Sequence, residues 1–179
     1  LIALGYTMVY GIIKLINFAH GDIYMIGAFI GLYCGRNLGL SLIPTLLISM
    51  IGAAICGVVI EKVAYKPLRN SPKITLLITA IGVSLLLENG MRLIAGSTPQ
   101  AFPKLLENEV IKVGALSIET SKILMLVVSI ILVLLLQFIV FKTKIGKAMR
   151  AASYDIEAAS LMGININNTI SITFAIGSA

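Results

Sequence analysis

Residues 123–141 read Ile-Leu-Met-Leu-Val-Val-Ser-Ile-Ile-Leu-Val-Leu-Leu-Leu-Gln-Phe-Ile-Val-Phe, and their only polar members are Ser129 and Gln137. As a helix this run reaches about 28 Å, close to the roughly 30 Å of a bilayer's hydrocarbon core. Further uncharged apolar runs occupy residues 1–13, 23–35, 37–60, 74–87 and 170–179. Over the 179 residues 58% are hydrophobic and 12% charged. A water-soluble domain has about 45–50% and 25%, so the composition excludes one. The expected fold is an all-α integral membrane protein, a helix bundle with about five to six spans. The chain begins and ends inside apolar runs, the pattern expected of an internal piece of a longer membrane protein.

The net charge of +6 does not form one basic face, so it does not point to nucleic acid. The basic residues collect in two places, Lys62, Lys66, Arg69 and Lys73, then Lys142, Lys144, Lys147 and Arg150. Two spans separate these clusters, so both can lie in cytoplasmic segments, where short loops concentrate Lys and Arg. This gives a cytoplasmic loop at 61–73, an extracytoplasmic loop at 96–122 and a cytoplasmic region at 142–169. The 96–122 segment has three Lys and three Glu; Pro99 and Pro103 break any helix at its start, and residues 110–118 permit a short strand pair. Membrane lipid is the surrounding solvent throughout.

Glycines at 27, 31, 35 and 39 recur every four residues, and Ala53 with Gly57 repeats the spacing on the next span. Small residues at this interval let helix backbones approach closely in lipid. Cys34 and Cys56 have no metal-ligand spacing and read as small buried hydrophobes. His20 has no second His or nearby Cys to complete a metal site.

Three stretches could carry function. At Asn17-Phe18-Ala19-His20-Gly21-Asp22 the sequence fits either a turn, with Asp22 capping the next helix through the N–H groups near Tyr24 and Met25, or a helix broken at membrane depth along a solute path. Glu88 and Arg92 stand one turn apart on the fourth span, and charges there are expected to pair, to sit near the outer interface or to face a polar cavity. In the stretch 144–165, Asp155 can cap a short helix starting at Ile156, and Gly163 can terminate it. Glu157, Ala158 and Ala159 would then give a small, nearly flat surface suited to docking on another protein, or to resting on lipid headgroups.

Three blocks together resemble a known family: 5–22 (GYTMVYGIIKLINFAHGD), 61–69 (EKVAYKPLR) and 146–165. In order, over almost the whole chain, they are similar to the LivH-type permease subunit of bacterial branched-chain amino acid ABC importers. The resemblance implies one transmembrane permease domain over 1–179, multi-pass in the bacterial inner membrane. Its implied partners are a LivM-like second permease, two ABC ATPase subunits and a periplasmic or lipid-anchored substrate-binding protein. It implies that Asp155, Glu157, Ala158, Ala159 and Gly163 form the coupling helix seated on an ATPase. The chain has no Walker lysine loop, so ATP and Mg would be bound by the partner ATPases; no cofactor or catalytic site is expected in this chain. Asn17, His20, Glu88 and Arg92 are the candidates for the translocation path, and Gly27, Gly31 and Gly35 for helix packing. The competing expectation is an ion-gradient-driven transporter or channel using His20, Glu88 and Arg92. That reading requires those groups to titrate, whereas the importer reading expects Glu88→Gln to be tolerated.

Overall fold

The structure, a computed structural model, describes residues 2–13, 17–69, 71–103, 110–113 and 116–179. Residues 14–16 of the 5–22 block, and 104–109 and 114–115 of the 96–122 segment, lie outside the described residues. The order is α1 (Ile2–Ile13), α2 (His20–Asn37), α3 (Leu42–Ile60), α4 (Lys73–Ala95), strands β1 (Val110–Val113) and β2 (Leu116–Glu119), α5 (Thr120–Lys142), α6 (Lys144–Tyr154), α7 (Ile156–Leu161) and α8 (Ile166–Ser178). Three stretches are long and apolar enough to cross a membrane: Leu42–Leu68, Lys73–Ala95 and Thr120–Lys142; Ile2–Ile12 is a shorter apolar helix. The protein is thus a polytopic membrane helix bundle. Its one described sheet is the antiparallel pair β1–β2, with Val110 opposite Glu119 and Val113 opposite Leu116.

The small-residue stripe explains how α2 and α3 meet. A Cβ placed on Gly27 would lie 3.4 Å from the Ala53 methyl, and one on Gly31 would lie 2.9 Å from Ser49 Oγ. Gly35 is buried on the same helix. Because Gly27 meets Ala53 while Gly31 meets Ser49 and Thr45, the two helices run antiparallel. Gly39 does not continue the stripe. It follows the helix with φ +59 and open space around it, so it serves the turn into α3, which starts at Leu42 rather than within the expected run from 37. Gly57 packs not on α2 but on α8, against Ser178 and the Phe174 carbonyl.

α8 lies between α1 and α3. Gly5 of α1 approaches Gly177 so closely that a Cβ there would strike its carbonyl oxygen. The core joins Val9 and Ile12 (α1), Ile23 (α2), Ala53 and Ile60 (α3), Leu76 and Ala80 (α4), Met149 and Ala152 (α6), and Ile170 and Phe174 (α8). By contrast α5 buries no residue. Its apolar sides face outward, away from the other helices.

The expected loop at 61–73 is mostly helical. α3 continues through a π-helical turn, Glu61–Tyr65, and a 3-10 turn, Lys66–Leu68, before the chain reverses into α4 at Lys73. Nothing in 61–65 breaks a helix, and Pro67, which cannot donate to an earlier turn, ends it. The corner between α5 and α6 is tight: Thr143 Oγ1 accepts from the Gly146 N–H at 3.0 Å, and any Cβ on Gly146 would strike the carbonyls of Ile139 and Val140. The Arg150 guanidinium lies 5.2 Å over the Phe141 ring and braces the corner.

Candidate functional site: a cleft between two helices and a short capped helix

The two basic segments meet at one end of the bundle. Arg69, after α3, donates to Asn167 Oδ1 at 2.6 Å on the first turn of α8, and it forms an ion pair with Glu61. Glu61 is 0% exposed, and its second oxygen accepts from Ser171 Oγ at 2.6 Å. A buried carboxylate survives only when its oxygens are satisfied, and here a guanidinium and a hydroxyl do so. Glu61 thus ties α3 to α8. Sequence reasoning quoted its block without giving it a role; the available signal was a lone Glu at the inner end of an uncharged run, eight residues before an Arg.

α7 projects from this end. Asp155 is its N-cap, accepting from the Glu157 N–H at 2.9 Å and the Ala158 N–H at 3.0 Å. At the other end Gly163 has φ +83, the Gly163 N–H bonds the Ser160 carbonyl and the Ile164 N–H bonds the Ala159 carbonyl. That pair of bonds is a Schellman closure, which needs a left-handed residue at Gly163. The surface differs from the flat one expected. Ala159 is buried, 5% exposed, because it faces the bundle, while Glu157 and Ala158 are exposed. Around them stand Tyr154, Leu161 and Met162, exposed by 87%, 89% and 83%. These three large side chains were not singled out from the sequence, although an apolar residue beside a helix-ending glycine was a usable signal.

A cleft of about 570 Å³ lies toward the opposite end, between α2 and α4. Asp22, Met25 and Phe29 line it from α2, Glu88, Met91 and Arg92 from α4, and residues 96–100 form its rim. The rim is held by the Arg36 guanidinium, which donates to Gln100 Oε1 at 3.1 Å. Asp22 is not the cap expected of it. Residues 17–19 form a turn in which Asn17 Oδ1 accepts from the Ala19 N–H at 3.1 Å, so α2 already starts at His20 and Asp22 sits within its first turn. Its Oδ2 instead accepts from Ser84 Oγ at 2.5 Å, across to α4. Ser84 is eleven residues past Lys73, about 16 Å along the helix. Asp22 therefore lies level with the middle of α4.

The four path candidates are not brought together. Glu88 and Arg92 share the cleft but do not pair with each other; among the described residues the ion pairs are Arg69–Glu61 and Lys122–Glu119. Asn17 is buried elsewhere, its Oδ1 also accepting from the Tyr65 hydroxyl at 2.7 Å. His20 packs against α1, its ring 6.1 Å from that of Tyr6. Both carry a buried polar atom without a partner, Asn17 Nδ2 and His20 Nδ1.

Comparison with known proteins agrees with this architecture. The family model described as branched-chain amino acid transport system / permease component matches residues 1–179. The high-affinity branched-chain amino acid transport system permease protein BraD of Pseudomonas aeruginosa is 40% identical over 191 residues, which cover 100% of this chain and 62% of BraD. The corresponding LivH proteins are 42% identical in Salmonella typhimurium and 39% in Escherichia coli, each over 192 residues with the same coverage. The chain thus spans 62% of the length of these curated relatives. No solved structure matched it significantly. With a match from the first residue to the last and a membrane helix bundle to carry it, the chain belongs to the family of branched-chain amino acid transport system permease components.

Proposed function

We propose that the protein is the transmembrane permease subunit of an ATP-driven importer for branched-chain or related amino acids in the bacterial inner membrane. The observation that carries this reading is α7, a short helix capped by Asp155 and closed by Gly163, which presents Tyr154, Leu161 and Met162 to solvent at the basic end of the bundle. Apolar side chains held out on a rigid turn fit a groove on a partner better than they fit water. In this reading two ABC ATPases, binding ATP and Mg, receive α7. A LivM-like permease covers the outward faces of the spans, and an external binding protein delivers solute to the rim at 96–100. No chemistry is assigned to this chain itself; it moves a solute.

Coupling follows from the contacts. α7 leads directly into α8, and α8 is tied to α3 through Asn167, Ser171, Arg69 and Glu61. A push on α7 therefore reaches α3 and, through the Gly27–Ala53 contact, α2. The Asp22–Ser84 bond passes it on to α4, so both walls of the cleft are within reach of the ATPases. A gradient-driven transporter is not favoured, since His20 faces α1 whereas Glu88 and Arg92 line the cleft. The test is leucine uptake by the full-length complex in sealed vesicles. Uptake that needs ATP and persists when ionophores collapse all ion gradients supports the reading; uptake that needs a gradient and ignores ATP contradicts it.

A further inference from the structure

We infer that the cleft between α2 and α4 is a binding site for the zwitterion of an amino acid with an apolar side chain, so that the permease itself recognises its solute. This rests on the transport reading above and adds to it a site and an orientation. Glu88 and Arg92 stand on one face of α4, about 6 Å apart along the axis, and both line the cavity. Two opposite charges in a membrane helix are expected to pair with each other, yet no ion pair joins these two. Each is left to meet a ligand or water in the cleft. A group carrying both an ammonium and a carboxylate fits between them, with its carboxylate on the Arg92 guanidinium and its ammonium on Glu88.

The rest of the lining agrees. Asp22 closes the inner end of the cavity, held by the Ser84 hydroxyl at 2.5 Å, and adds a second carboxylate on the ammonium side. Met25, Phe29 and Met91, each half-buried, supply an apolar wall for an aliphatic side chain. Few polar groups converging on an apolar wall, within a volume of about 300–1,000 Å³, is the usual form of a small-molecule site, and this cleft measures about 570 Å³. Arg92 stands nearer the rim and Glu88 deeper, so the solute enters ammonium first. The opposite signs also make the site select against molecules with one charge, because such a molecule leaves one of the two side chains unmatched.

The test is equilibrium binding of labelled leucine to the purified full-length complex in lipid nanodiscs without its external binding protein. Two competitors are used, 4-methylpentanoate, which lacks the ammonium, and 3-methylbutylamine, which lacks the carboxylate. In the wild type both compete about ten- to a hundredfold more weakly than leucine, the worth of one charge-assisted hydrogen-bond pair. Arg92→Gln weakens leucine by a similar factor and erases its advantage over 3-methylbutylamine, while Arg92→Lys retains part of it. Glu88→Gln weakens leucine by a similar factor and erases its advantage over 4-methylpentanoate, but not its advantage over 3-methylbutylamine. Equal binding of leucine by the wild type and both Gln variants, or no binding by the wild type, overturns the site. A complex that binds leucine in this pattern but shows no ATP-driven uptake keeps the site and overturns the importer reading instead.

Discussion

Glu61 shows how a single buried charge can be structural in a membrane helix. It has no exposed surface, and its carboxylate is balanced by Arg69 and Ser171. Removing one partner of such a pair leaves the other charge uncompensated, which costs about 3–5 kcal/mol. Arg69→Ala is therefore expected to lower the melting temperature of the detergent-solubilised protein sharply, and adding Glu61→Gln is expected to recover much of the loss. If the double variant melts no higher than Arg69→Ala alone, the ion pair is not what Arg69 contributes. Gly163 makes a different demand, since its φ of +83 is in the left-handed region and a β-branched residue is strained there. Gly163→Val is expected to leave the protein in the membrane, while uptake falls and ATP hydrolysis by the complex continues. Undiminished uptake would show that the closure of α7 is not needed for coupling. Both capping roles on α7 were legible in the sequence, because Asp155 and Gly163 act on the backbone a few residues away. The partners of Glu61 were not, for Ser171 lies 110 positions later and no local pattern encodes that meeting.

Among the elements, the glycine stripe and α7 each make a prediction. Gly31→Leu places a branched side chain where a Cβ alone would come within 2.9 Å of Ser49. It is expected to separate α2 from α3 and to reduce the amount of assembled subunit recovered from membranes, whereas Gly82→Leu, in open space on α4, leaves that amount unchanged. Equal recovery of the two would show that the α2–α3 approach is not limiting. Leu161→Glu, at a position 89% exposed, is expected to leave the stability of the isolated subunit within about 0.5 kcal/mol of wild type but to release the ATPases on purification; their retention would remove α7 as the docking element. The spans were readable because helices in lipid are largely apolar, so α5 appears as a long uncharged run and α4 as one that continues to Leu87 before Glu88 and Arg92 interrupt it. Gly39 and Gly57 were less so. Four-residue spacing tells that two helices can approach, but not where one ends or which neighbour it meets, and Gly57 in fact meets α8.

For the whole molecule, the basic end and the cleft lie at opposite ends of one bundle, linked through α8, α3 and α2. This separation suits the proposed function, in which force would enter at α7 and solute would be held near α4. The candidate path was only half legible in the sequence: Glu88 and Arg92 drew notice as charges in an apolar run, but Asp22 joined them only because the turn at residues 17–19 starts α2 early enough to aim it at Ser84. In the proposed function this chain is one subunit of an ATP-driven assembly. The most direct measurement is gentle extraction of the tagged full-length protein from its native membrane, followed by mass spectrometry of what accompanies it. Two ATP-binding subunits and a second permease in stoichiometric amounts are the predicted result. The protein alone, or only with copies of itself, under conditions that preserve other such complexes, would contradict it.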